Sequence, residues 1–236
     1  MHPQVAKLID AEYAAQRSEE WLALRHNMLT ASDAATAIGE NPYETPKKLI
    51  QKKCGLIKFD GNQATVHGNK YEDEARIIYE ERYGEKVHEI GLYPHPEIKW
   101  LGGSPDGITE SGKLVEIKCP LSRQIKDEVP GHYMPQLQLL MEILDLDSCD
   151  FIQYKPSSVT WPKPPEFCMT HVKRDRQWFI EKLPIMKEFW DKVIWHREHG
   201  IEGPRKLKPR VKKVVEEEVQ VCEIELCSDD EKYLSD

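Results

Sequence analysis

Ser104-Pro-Asp-Gly107, followed after six residues by Leu114-Val-Glu-Ile-Lys118, is the stretch on which the fold is decided. Residues 107–109 and 113–119 read as two strands, and Glu110-Ser-Gly112 between them as a three-residue hairpin loop with its glycine last. A hairpin turning about Ser111 pairs residues equidistant from it, which sets Asp106 opposite Glu116. Side chains alternate along a strand, so Glu116 and Lys118 share one face while Val115 and Ile117 share the other. Two neighbouring carboxylates raise one another's pKa unless a cation sits between them. A hard divalent ion such as Mg²⁺ suits such a pair, because it binds through one or two carboxylates, keeps several waters and accepts substrate phosphate. It would polarise a phosphodiester and acidify a bound water, with Lys118 placed to orient that water or offset charge on the phosphate. The plain alternative is a surface hairpin carrying a Glu/Lys pair.

Outward from this hairpin the pattern is mixed. Helices are expected over residues 3–15, 18–25, 46–54, 68–83, 132–144 and 175–199, with a short one opening at residues 30–33 and ending at Gly39. Ser18 is the candidate N-cap of the second, Pro46 and Gly55 bracket the third, Gly84 closes the fourth and Pro184 is a candidate kink in the last. Further strands are expected at residues 86–93, 100–102, 149–154 and 167–172. Helices and strands in this order describe an α+β fold, a central sheet flanked by helices.

Several polar residues fall where such a site would draw on them. Glu72 has the helical spacing of Ala75 and Tyr79, on the apolar side, where a carboxylate is costly unless paired or bound to metal; a dipole-favoured acid near a helix start is the alternative. Glu74, off that stripe, reads as solvated. Gln136 and Gln138 give an otherwise apolar helix a polar edge facing a site, although glutamine is also an ordinary helix former. Arg25, with Ser32 at an expected helix start, suggests a phosphate cradle; the alternative is that Ser32 only caps and Arg25 pairs with Glu19 or Glu20. Lys47, Lys48, Lys52, Lys53 and Lys58 form a run that suits either DNA backbone charge or a solvated helix face.

The chain has 236 residues, 39% apolar and 31% charged, which excludes a fully disordered chain and allows a core without disulfides. It contains no apolar run of membrane-spanning length and no secretory signal, so a soluble intracellular protein is expected. The six cysteines lack any C-x-x-C spacing and read as free thiols rather than as a zinc site, an iron–sulfur site or a disulfide framework. The net charge of -8 is concentrated at the end: residues 216–236 hold nine acids and one lysine, and residues 1–215 sum to zero. Global charge therefore neither supports nor forbids DNA binding. The expected division is a nuclease-like domain over residues 1–202 and a charged, disordered tail over 203–236. The tail's basic segment, 205–213, reads as a nuclear-import signal, a DNA-contacting arm or a solubilising extension.

Trp21 with Arg25, Thr30-Ala-Ser32, His67-Gly68-x-x-x-Glu72, Ser104-Pro-Asp-Gly107, Glu116-Ile-Lys118 and Tyr133-Met-Pro-Gln-Leu-Gln138 together resemble the lambda-exonuclease-like, or YqaJ-type, viral recombinase nucleases of the PD-(D/E)XK superfamily. The pieces stand in that family's order over about residues 17–190. The resemblance implies a restriction-endonuclease-like α+β core with a central mixed β-sheet. It also implies Mg²⁺, with Mn²⁺ as substitute, held by Asp106, Glu116 and the Ile117 carbonyl. Glu72 would assist at the metal, Lys118 and Gln136 would position the nucleophilic water, and Arg25 and Ser32 would form a 5′-phosphate pocket. The implied activity is 5′ to 3′ degradation of one strand of duplex DNA from its ends for recombination or repair. The implied partners are double-stranded DNA ends, a single-strand annealing protein and a homotrimeric assembly. A structure-specific endonuclease and a non-catalytic DNA-binding module are the alternatives; the complete set Glu72, Asp106, Glu116, Lys118 and Gln136 argues against decay.

Overall fold

The computed structural model describes residues 1–11, 14, 16, 18–57 and 63–201. The expected tail, Lys58, Cys222 and Cys227 lie outside the described residues. The helices are α1 Pro3–Ile9, α2 Glu19–His26, α3 Ala34–Ala37, α4 Pro46–Lys53, α5 Gln63–Tyr83, α6 Met134–Leu144, α7 Ser157–Thr160 and α8 Arg176–His199. The strands are β1 Leu29–Thr30, β2 Val87–His88, β3 Tyr93–Pro94, β4 Leu101–Gly103, β5 Gly107–Thr109, β6 Leu114–Lys118, β7 Ser148–Lys155 and β8 Glu166–Lys173.

A five-stranded sheet in the order β2-β5-β6-β7-β8 forms the centre, and a smaller sheet β1-β4-β3 lies apart from it. The hairpin register is the expected one, with Gly107 opposite Val115 and Ile108 opposite Leu114. β6 and β7 run parallel through a crossover that contains α6, and the other neighbours in the central sheet are antiparallel. The sheet is therefore mixed, and the fold is the expected α+β, restriction-endonuclease-like class.

Alternation along β6 distributes its side chains between two cores. Val115, Ile117 and Cys119 pack with Ile152 and Tyr154 of β7 against Ala75 and Tyr79 of α5. Leu114 joins Phe151 in the larger core built on α6 and α8. Full burial of such a side chain contributes about 1.5–3 kcal/mol. Glu116 and Lys118 share the Leu114 face and so meet α6. That helix buries Leu137, Leu139, Leu140, Met141, Ile143 and Leu144, which places it at the centre of the molecule rather than on its surface.

Local chemistry fixes the helix ends. Ser18 accepts the Trp21 amide, Thr45 accepts the Lys48 amide ahead of Pro46, and Asp175 accepts the Trp178 amide at the start of α8. Pro184 lies inside α8.

Four expectations are corrected. α1 stops at Ile9 rather than residue 15; its buried residues are Val5 and Leu8, and the Gln16 amide further on is held by the Ile90 and Pro105 carbonyls. Residues 86–93 are two short strands, because Val87–His88 pairs with β5 while Tyr93–Pro94 pairs with β4. Leu29–Thr30 is an unexpected strand beside β4; the short helix after it opens as a 3-10 turn, Ala31–Asp33, which runs into α3 and ends at Gly39 as expected. α5 begins at Gln63, about a turn before the expected start.

Candidate active site

The end of the hairpin brings the two carboxylates together. Beyond the last ladder pair, Asp106 Oδ2 accepts the Ile117 amide at 2.7 Å, which turns that side chain toward β6. Glu116 is 1% exposed. Its Oε1 accepts hydrogen bonds from Lys118 Nζ and, at 2.5 Å, from Gln136 Nε2 of α6. Its Oε2 is buried and has no hydrogen-bond partner. Burial pushes the Glu116 carboxyl up, to about 8, and the Asp106 carboxylate pushes the same way; Lys118 pulls it back. Burial opposes the Lys118 ammonium, but Glu116 and Asp106 outweigh it and raise its pKa. Lys118 Nζ also lies 5.4 Å over the Tyr133 ring.

Glu72 approaches from α5, on the other face of the sheet. It lines a polar cavity with Gln16, Asn69, Asp73 and Glu89. Its charge reaches the hairpin: the Cys119 thiol is pushed up to about 12, first by burial, then by Glu72 and Asp106. Among the described residues, no group of three or more His, Cys, Asp or Glu side chains converges as a metal cage. The oxygen donors that converge at the hairpin end are the Asp106 and Glu116 carboxylates. Hard oxygen donors, an orphaned buried carboxylate oxygen and a carboxyl driven toward neutrality all fit a divalent cation that keeps several waters.

The Arg25 and Ser32 side chains meet, with Arg25 Nη2 donating to Ser32 Oγ at 3.0 Å and its guanidinium 4.4 Å from the Trp21 ring centroid. Thr30 Oγ1 lies 3.1 Å from Ser32 Oγ and donates to Asp33 Oδ2 at 2.7 Å. Lys53 braces this pocket from beneath, donating at 2.8 Å to the carbonyls of Arg25 and Met28 and pairing with Asp33 at 2.8 Å. Burial would raise the Asp33 pKa, but Lys53, and after it Arg25, hold it below the ordinary range. The pocket is thus built by side chains, at a 3-10 turn that opens into α3 and has no side-chain cap.

Other residues differ from expectation. Gln138 is buried and faces away from the acids, donating to the Lys173 carbonyl and accepting the Asp175 amide, so it joins α6 to β8 and α8. Lys53 is a buried pocket support rather than a DNA-facing charge, and Lys52 pairs with Glu44 at 2.5 Å. Glu74 is exposed yet accepts the Tyr154 hydroxyl at 2.5 Å. As expected, by contrast, Cys54, Cys119, Cys149 and Cys168 are free thiols. Tyr133 enters the site without a role assigned from sequence, and Lys53 enters in a role other than the two expected of its lysine run. Its place directly before the Cys54-Gly55 helix end was the available signal for Lys53.

A mixed α+β sheet with an acid entering one strand and Glu-x-Lys on its hairpin partner defines a restriction-endonuclease-like protein with a polar site at the hairpin's open end. The YqaJ-like viral recombinase domain model matches residues 20–147, and the chain belongs to that family. It is 36% identical over 159 residues to an uncharacterized protein, R354, of Acanthamoeba polyphaga mimivirus, covering 59% of this chain and 29% of that protein. It is 31% identical over 157 residues to protein D345L of an African swine fever virus isolate, covering 52% of this chain and 44% of that protein. The chain thus spans less than half the length of these two relatives. Among solved structures, an alkaline exonuclease (LHK-Exo) from Laribacter hongkongensis has a TM-score of 0.65 at 27% identity, covering 77% of this chain and 95% of that one. The same protein in complex with dAMP matches at 29% identity, with a TM-score of 0.65 and the same coverage. Among the described residues, no helix is long and apolar enough to cross a membrane.

Proposed function

We propose that the protein is a Mg²⁺-dependent DNA exonuclease that degrades one strand of duplex DNA from its ends, 5′ to 3′, and leaves a 3′ single strand for recombination or repair. The observation that carries this reading is the unpartnered Glu116 Oε2, buried beside Asp106 while the other oxygen of the same carboxylate is held by Lys118 and Gln136. The likeness to a protein solved as an alkaline exonuclease supports it.

Asp106, Glu116 and the Ile117 carbonyl would hold the ion. When bound, it supplies a positive centre that polarises a phosphodiester and acidifies water. Gln136 and Lys118 fix the Glu116 rotamer, so the open carboxylate oxygen keeps its direction. The Lys118 ammonium adds a fixed positive charge where negative charge builds on the phosphate, and with Gln136 it orients the attacking water. Glu72 adds negative charge nearby and draws cations toward the site. The Arg25–Ser32 pocket receives the terminal 5′-phosphate through a forked, permanently charged donor and a hydroxyl. A single-strand annealing protein and a homotrimeric assembly are the partners proposed with this activity.

Incubation with linear and covalently closed circular duplexes tests the reading. Linear DNA is expected to be consumed while the circle survives; rapid cutting of the circle would favour an endonuclease on the same fold. Arg25→Ala is expected to lower the preference for 5′-phosphorylated over 5′-hydroxyl ends by about ten- to a hundredfold, in line with about 1.5–3 kcal/mol for a hydrogen bond to a charged group. Equal effects on both ends would remove the pocket assignment.

A further inference from the structure

A series of aromatic rings leads outward from Lys118. Tyr133, below the Lys118 ammonium, is backed by buried Phe151 at 5.7 Å. His132 lies 4.1 Å from Tyr133, tilted by 45°. Tyr43 then meets His132 edge-on, at 5.3 Å and 87°.

Tyr43 is 75% exposed, yet its loop is pinned. Asn41 Oδ1 accepts the Tyr43 amide at 2.9 Å, and Asn41 Nδ2 donates to the buried Thr36 hydroxyl at 2.7 Å. On either side, Glu40 pairs with Lys182 at 2.7 Å and Glu44 with Lys52 at 2.5 Å. Holding a large ring still in water has an entropic cost and returns little packing, and the edge-on contact leaves a Tyr43 face open.

The geometry points to a stacking shelf on which Tyr43 and His132 hold unpaired bases of the DNA strand whose backbone enters the Asp106–Glu116 site. This inference rests on the nuclease reading of that site. Aromatic faces accept any base, because every base has a π face, so the shelf is tolerant of sequence. Successive ring centroids in the series lie 4.1 and 5.3 Å apart, on the scale of the rise of one nucleotide, about 3.4 Å per strand, so the shelf takes more than the terminal base. Its role is to keep a frayed end open while the backbone is cut.

The test uses the full chain in EDTA, so that nothing is cut, and measures binding to duplexes with a short unpaired end that either carries its bases or is abasic. Tyr43→Ala is expected to weaken binding to the base-bearing end roughly tenfold, Tyr43→Phe to retain it, and all three proteins to bind the abasic end alike. Loss of affinity for neither end, or equal loss for both, overturns the shelf. Digestion by the unaltered protein with Mg²⁺ judges the nuclease reading separately. Base-dependent binding without any digestion would refute that reading and the shelf's role in cutting, and would leave base stacking by Tyr43 as a binding contact only.

Discussion

Asp106→Ala and Lys118→Ala are each expected to lower DNA digestion roughly a thousandfold, the scale seen when one preorganised electrostatic group is removed from a reacting centre. The two losses have different physical origins. Asp106 supplies one of the two carboxylates that meet at the hairpin end, whereas Lys118 holds Glu116 and contributes the local cation. Asp106→Asn separates function from folding. The amide oxygen can still accept the Ile117 N–H, and the charge that pushes Glu116 toward neutrality is gone. Its melting temperature is therefore expected to equal or exceed that of the unaltered protein while turnover is lost, the pattern of an active site that opposes stability. Undiminished digestion by either alanine variant would remove the site assignment.

The largest stability effect is expected on the other side of β6. Asp150 on β7 is 1% exposed, accepts the Tyr79 hydroxyl at 2.6 Å and lies 2.7 Å from His171 Nδ1, with Lys113 Nζ at 3.3 Å. Burial works to raise its pKa, but the hydrogen bonds from Tyr79 and His171, with Lys113, outweigh it and hold the carboxyl below the ordinary range. Because the folded value is the lower one, the group contributes stability above the unfolded pKa of about 3.9 and loses it as pH falls through the folded value. Asp150→Ala would strand the buried Tyr79 hydroxyl and leave Lys113 with Glu85 as its carboxylate partner, at a cost of about 1–3 kcal/mol near neutral pH. Urea unfolding at pH 7 should show that loss, and the difference between variant and parent should shrink on acidification through the carboxylate range. A variant as stable as the parent at pH 7 would contradict this account of the cluster.

The hairpin was legible because two constraints coincide on it. Strand alternation has a period of two, and the short Glu110–Gly112 loop leaves one register, so Asp106 and Glu116 had to meet. The hydrogen bond from Gln136 to Glu116 was not legible: the sequence suggested a polar edge facing a site and the resemblance a water-positioning role, but no local rule says which helix covers the Leu114 face of β6. Lys53 was misread for a related reason. Its helix position looks solvated until α2 ends beneath it and presents the Arg25 and Met28 carbonyls, which require a donor. Gln138 reads as part of a polar edge, yet its partners come from β8 and the start of α8, more than thirty residues away. The Asp150 cluster was likewise hidden, because it draws Tyr79 from α5 and His171 from β8. β1 is two residues long, too short for any periodic pattern to register.

Asp106 and Glu116 are proposed to hold one divalent ion between them. Titration with Mn²⁺, followed by the loss of the free-ion electron paramagnetic resonance signal, tests it without relying on turnover. Binding of Mn²⁺ by the unaltered protein, competed by Mg²⁺ and lost in both Asp106→Asn and Glu116→Gln, is the predicted result. Mn²⁺ binding that persists undiminished in both variants would contradict it.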